Sequence, residues 1–168
     1  MTDPVRRAAD LVNVLVPGPA TAGQVREVLR AHGEPEPIEL AVDDLADLRA
    51  AAEVLRAIFA AGTVDEAAAA LNAALAEHAR PPRLTTHDGT FAWHLHVDSS
   101  DDAPWGEWLV TSSCLALAFR LAEKQRPPGG ICACGKSFVD TGRGERKQYC
   151  SARCATRARV AAHRARRA

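Results

Sequence analysis

Four of the five cysteines in this 168-residue chain fall in its last 39 residues, at Cys132, Cys134, Cys150 and Cys154, in the spacing C-x-C-x15-C-x3-C. Two close thiols, a short polar stretch and two thiols at the start of a helix are the layout of a tetrahedral zinc site drawn from two chain segments. A segment that short buries too little apolar surface to fold alone, so the metal must hold it folded. Thiolates at all four positions leave no open coordination site, which makes the expected single zinc structural rather than catalytic.

Charge divides the chain at the same place. Residues 130–168 carry ten Lys and Arg against two acids, Asp140 and Glu145, whereas residues 1–129 carry eleven against nineteen. The formal net charge of zero therefore hides a basic finger on an acidic body. A basic, metal-stapled segment reads as a nucleic-acid-binding module. The opposite charges also suggest that the basic helix at the end of the chain rests on the acidic body when no nucleic acid is bound, so that body and nucleic acid compete for the same arginines. The N-terminus has no basic-then-apolar leader, and no apolar run reaches the roughly 18 residues of a membrane span. The expected setting is the cytoplasm, away from membranes, where clustered thiols stay reduced and bind metal.

The body, residues 1–125, reads as mostly helical, because its apolar content is chiefly Ala, Leu and Val. Val5, Ala8, Leu11, Val12 and Leu15 recur at helical spacing between Pro4 and Val16. Thr21 is a candidate N-cap for a second helix, Asp43 or Asp44 opens a third that Gly62 stops, and Thr63 with Glu66 forms a capping box for a fourth. Around Asp88-Gly89 the period changes from 3.6 to 2, predicting a β-hairpin near 83–97. Its expected core face carries Phe91, Trp93, Leu95 and Val97, with His94 and His96 facing solvent. Two histidines two apart on a strand can chelate a metal, but a wet hairpin face is the commoner setting.

A last body helix is expected from Pro104 to Gln125, burying Trp105, Trp108, Leu109, Leu115, Phe119 and Ala122, with Cys114 as an inert core thiol. Residues 126–130, Arg-Pro-Pro-Gly-Gly, read as a linker. Asp10 and Asn13 are polar positions within an apolar helix pattern. They are candidate site residues of the body, or else exposed positions or helix-to-loop hydrogen bonds. The body holds no phosphate-cradling glycine loop and no nucleophile motif, so no enzyme is expected.

In the finger, residues 131–168, Phe138 and Tyr149 would form a small core, and Thr141-Gly142-Arg143-Gly144 would turn between two short strands. Knuckle, hairpin and helix in that order make a treble-clef-like finger, so the whole is α+β, mostly α. Projected at 100° per residue, the last helix sets Arg153, Arg157, Arg164 and Arg167 in one stripe, with Arg159, His163 and Arg166 beside it. About 27 Å long if fully formed, it could cross a duplex backbone or enter a major groove. Arg146 and Lys147 add to the candidate nucleic-acid surface.

The finger's pattern resembles the bacterial CGNR zinc-finger proteins with an N-terminal ABATE domain, a family linked to stress-induced transcription. The likeness rests on Cys132, Cys134, Gly135, Phe138, Asp140, Arg146, Tyr149, Cys150, Ser151, Cys154, Arg157 and Arg159. It extends to the N-terminal ADLVNVL, where Asp10, Val12 and Asn13 match the family's D-F-V-N-T segment. The namesake motif stands here as Cys154-Ala-Thr-Arg157, and both cysteine pairs are closer than usual. Because Cys-x-Cys strains chelation, an alternative site leaves Cys132 or Cys134 free and completes the sphere with His163 or water. The resemblance implies a DNA-binding transcription regulator whose acidic body senses a signal or forms a homodimer. The alternative is a zinc-dependent RNA- or protein-interaction module without sequence-specific DNA binding.

Overall fold

The computed structural model describes residues 3–141 and 144–166. Helix α1 (Pro4–Leu15) begins where the Asp3 carboxylate accepts the Val5 and Arg6 amides, with Pro4 at the position where a missing N–H costs nothing. Both α2 (Ala22–Ala31) and α4 (Val64–His78) open on capping boxes, Thr21 with Gln24 and Thr63 with Glu66. Ala41, which precedes α3 (Val42–Ala60), has no side-chain acceptor, and only the return half remains: the Asp44 carboxylate accepts the Ala41 amide at 2.8 Å. Gln125, in the left-handed region at φ 50°, ends α5 (Trp105–Lys124).

The body core forms where α1 lies against α2, α3 and α5, and α4 closes over α3 and α5. Leu11, Val12, Leu15, Leu48, Leu55, Ile58, Phe59, Leu109 and Leu117 are fully buried within it. Burying each such side chain is worth about 1.5–3 kcal/mol. Arg7 is also enclosed there: it pairs with Glu34 at 2.6 Å, donates to Ser112 Oγ at 2.8 Å and lies 4.1 Å from the centre of the Trp108 ring. Burial lowers its pKa, and Glu34 opposes that shift.

The packed face of α5 differs from the one expected. Gly106, Leu109, Val110, Ser113, Cys114 and Leu117 face inward, while Phe119 is 60% exposed and Ala122 lies at the surface. The helix is apolar on nearly every side, so hydrophobicity cannot choose the face; the small residues do, by allowing close approach. A Cβ at Gly106 would come within 2.9 Å of Asp47 on α3. Cys114 is buried as expected, and that burial pushes its thiol up to about 12.

The predicted hairpin exists, but with the opposite face inward. β1 (Arg83–Thr85) pairs antiparallel with β2 (His94–His96), in the register Arg83↔His96, Leu84↔Leu95 and Thr85↔His94. Leu84, Leu95, Phe91 and Trp93 are exposed, Trp93 at 72%. Only Val97 of the expected core set is buried. The opposite face carries a polar network: Arg83 donates to Asp98 at 2.6 Å and to Asp101 at 2.5 Å, and Thr85 Oγ1 donates to Asp101 at 2.6 Å. Hydrogen bonds from Thr85 and then Arg83 hold the Asp101 carboxyl down at about 2. Because Asp98 is 2% exposed, the chain turns this face inward to keep a buried carboxylate paired.

The finger comprises β3 (Gly129–Ile131), β4 (Ser137–Val139) and α6 (Ala152–Ala165). Its two strands flank the first cysteine pair, so the knuckle itself turns the hairpin; the expected turn at Thr141–Gly144 is not between strands, and Gly142 and Arg143 lie outside the described residues. The stretch 126–130 is tied in on both sides, since Pro128 O accepts the Asp140 amide at 3.0 Å and Arg126 donates to Gly144 O at 3.2 Å. The strands lie against α1 and α3. Gly129 allows this approach: a Cβ there would stand 2.1 Å from Phe138 O and 2.7 Å from the Phe59 ring.

Candidate metal centre and nucleic-acid interface

All four finger cysteines converge. Their sulfurs lie within 4.8 Å of one another, with Cys134 and Cys150 Sγ 3.5 Å apart and Cys150 and Cys154 Sγ 3.7 Å apart. Sulfurs bound about 2.3 Å from a tetrahedral zinc stand about 3.8 Å from each other, so the set fits that ion with little movement. Gly135, at φ +87°, makes the short Cys-x-Cys knuckle feasible by turning its amide back onto Cys132 O at 2.8 Å. His163, the alternative ligand, is exposed on α6 and outside the cluster.

Local electrostatics are also those of a cation site. The backbone amides of Cys134 and Cys150 hydrogen-bond the buried Cys132 sulfur and hold its thiol down to about 6. Cys150 is pushed the other way, to about 12, by burial and by the hydrogen bonds it gives to neighbouring sulfurs. Zinc ligation requires thiolates, so an ion bound here would displace the protons these sulfurs still carry. Ser151 accepts the Cys154 amide at 3.3 Å as the N-cap of α6, so the second cysteine pair sits at the positive end of the helix dipole.

From this anchor α6 extends about 21 Å. None of its residues is buried, and it makes no extensive contact with another helix. Arg153, Arg157, Arg159, Arg164 and Arg166 are exposed; among the described residues none of them pairs with a carboxylate, and Arg159 donates only to Thr156 Oγ1 at 3.3 Å. Among the described residues, the expected docking of this helix on the acidic body is therefore not seen. Arg167 lies outside the described residues. Arg146 and Lys147 are engaged elsewhere: Arg146 donates to Gly62 O at 2.7 Å, at the α3–α4 junction, and Lys147 Nζ lies 5.4 Å from the centre of the buried Phe138 ring.

Asn13 faces the finger. Its Nδ2 donates to Ser137 O at 2.9 Å and its Oδ1 accepts the Ser137 amide at 2.8 Å, so one side chain pairs with β4 as a neighbouring strand would. Asp10 instead bonds His32 Nε2 at 2.9 Å. Both line a cleft of about 320 Å³ between α1 and the finger, with Asp3, Lys136, Lys147 and Ser151. Sequence reasoning singled out Asn13 as polar in an apolar helix, which was a signal of its partner but not of that partner's identity. Arg120, which donates to Asp140 O at 3.0 Å, and Arg56, which donates to Gly135 O at 3.0 Å, also join body to finger and had no signal in the pattern.

Comparison with known families agrees with this division. One family model, described as "CGNR zinc finger", matches residues 130–167. Another, ABATE, described as "Putative stress-induced transcription regulator", matches residues 5–124. No curated protein matches the chain.

Proposed function

Because the chain belongs to the ABATE family and carries a CGNR zinc finger after its ABATE segment, we propose that it is a bacterial, cytoplasmic, DNA-binding transcription regulator and not an enzyme. The single observation that carries the DNA reading is α6: a helix anchored at a structural zinc site, with five exposed arginines that pair with no carboxylate among the described residues. Arginines so presented contact phosphates bidentately or read guanine edges in the major groove. Arg146 and Lys147 serve in this reading to hold the finger's orientation, and only their remaining N–H groups are left for a phosphate.

The body supplies the second half of a regulator, sensing a signal or pairing two copies, and α1 transmits it because Asn13 grips the strand beside the metal knuckle. No helix among the described residues is long and apolar enough to cross a membrane. The finger's aromatics are Phe138, which is buried, and Tyr149, which is half-buried; this weighs against a single-strand RNA platform, which needs exposed rings.

Selection of genomic DNA fragments by the zinc-loaded protein, followed by anisotropy across a salt series, tests the proposal. A defined sequence retained at moderate salt is expected. For Arg153→Ala, Arg157→Ala and Arg164→Ala singly, a phosphate contact lowers the salt slope by about 1, whereas a base contact relaxes preference at one position. Absence of any DNA binding by the zinc-loaded protein would sink the reading and leave a protein-interaction module.

A further inference from the structure

The body's hairpin gathers a second set of metal-ligating side chains that the cysteine finger does not use. His94 and His96 project from β2 on its inner face, and His87 returns to them from the connection between β1 and β2. One ring nitrogen from each lies within 4.8 Å of the other two. We propose that His87, His94 and His96 form a binding site for a divalent transition-metal ion, zinc in the first instance, through their Nε2 atoms.

Distances carry the first part of the argument. Nitrogens bound about 2.05 Å from a tetrahedral zinc stand about 3.3 Å apart, and His87 Nε2 lies 3.4 Å from His96 Nε2. Each imidazole centroid lies about 1.1 Å beyond its ligating nitrogen, which places the three centroids of such a set about 5 Å apart. The observed separations are 5.1 Å for His87 and His94, 5.0 Å for His87 and His96, and 4.8 Å for His94 and His96.

Outer hydrogen bonds carry the second part. His96 Nδ1 is 2.8 Å from Asp98 Oδ2, and His94 Nδ1 is 2.8 Å from Ala92 O. His87 Nδ1 faces Asp101 Oδ2 at 3.6 Å. The acceptors hydrogen-bonded to Nδ1 of His94 and His96 place the proton there and turn each Nε2 lone pair outward, which is how outer residues orient metal-binding histidines; Asp101 stands near His87 Nδ1 beyond hydrogen-bond reach. Arg83 fixes both carboxylates by donating to Asp98 and Asp101. A proton shared between His87 and His96 would account for their contact alone, but not for the third ring converging at the same distance.

The backbone carries the third part. His87, Asp88 and Gly89 have φ of 48°, 54° and 83°, three successive left-handed residues that bend the chain back over β2. Thr85 Oγ1 accepts the His87 amide at 3.0 Å, and Phe91 sets its ring edge-on to His87 at 5.6 Å and to His94 at 6.1 Å. Three imidazoles suit zinc, nickel and copper, and three protein ligands leave a further coordination position for water or a small donor.

The test is zinc content per chain for the full-length protein, equilibrated with zinc, freed of loosely held ion and measured by elemental analysis. Wild type is expected to hold about two ions per chain, and His87→Gln and His96→Gln about one each, with unchanged circular dichroism. Cys150→Ser/Cys154→Ser, which disrupts the finger, should keep the hairpin ion. Should a histidine variant lose its fold, the cysteine variant still decides, because nickel or copper added to it must then perturb the histidine ring resonances. The proposal is overturned by one ion per wild-type chain, or by two ions that survive both histidine substitutions.

Discussion

Replacing Asn13 with alanine should loosen the finger from the body without touching a metal ligand. Asn13 makes two hydrogen bonds to the backbone of Ser137, at 2.8 and 2.9 Å, and Ser137 is 3% exposed. Alanine leaves one N–H and one C=O unpaired at a nearly dry position, at about 1–3 kcal/mol for each group, so about 3 kcal/mol in all. For a chain of this size that corresponds to a fall of about 6–12 °C in Tm. Asn13→Asp should cost at least as much, because a carboxylate accepts the Ser137 amide but sets an oxygen against the Ser137 carbonyl. The assay is thermal and urea unfolding at saturating zinc, with zinc content measured on the same samples. A loss below about 1 kcal/mol with zinc content intact would refute the argument, since it would mean that water or a shifted strand satisfies Ser137 equally well.

Other outcomes follow from the same geometry. Cys132→Ser and Cys134→Ser, made separately, should each weaken zinc binding by more than about 100-fold, the upper range for losing a mere outer partner; competition with a chelator reads this, and an undiminished affinity in either would refute the four-thiolate site. Gly129→Ala should destabilise the protein by about 1–3 kcal/mol, because its Cβ would stand 2.1 Å from the backbone oxygen of Phe138 and 2.7 Å from the buried Phe59 ring; unfolding measurements check it. Cys114, held near 12 by burial against 9.0 when exposed, is protonated in the folded state while the unfolded thiol ionises. Its contribution is therefore complete below pH 9 and is lost as pH rises from 9 towards 12, and alkylation of Cys114 at pH 9 should require denaturant.

Local chemistry was legible in the sequence. Thr21 and the Thr63–Glu66 pair cap the helices they precede, because a cap needs a side-chain acceptor within three residues and nothing else. The four cysteines were legible for a similar reason: ligand type and spacing define a zinc site before any packing is known. The face of α5 was not, because a helix apolar on all sides gives no periodic signal, and close approach at Gly106, Ser113 and Cys114 decides it. The hairpin was misoriented because alternation predicts two faces but not which is inner; the partners of Asp98 settled that.

By itself, then, the sequence determined the parts: an acidic helical body, four thiols for one metal, and an arginine helix that starts at the last two of them. Tertiary structure alone decided how the parts meet. It brought Asn13 to Ser137 across 124 residues, put Arg146 against the α3–α4 junction, left α6 exposed, and returned His87 to His94 and His96. Capping and ligand spacing act over a few residues and are written in the local order of side chains. Contacts between distant segments depend on which surfaces can approach closely while every buried polar group keeps a partner, and that is resolved only when the whole chain packs.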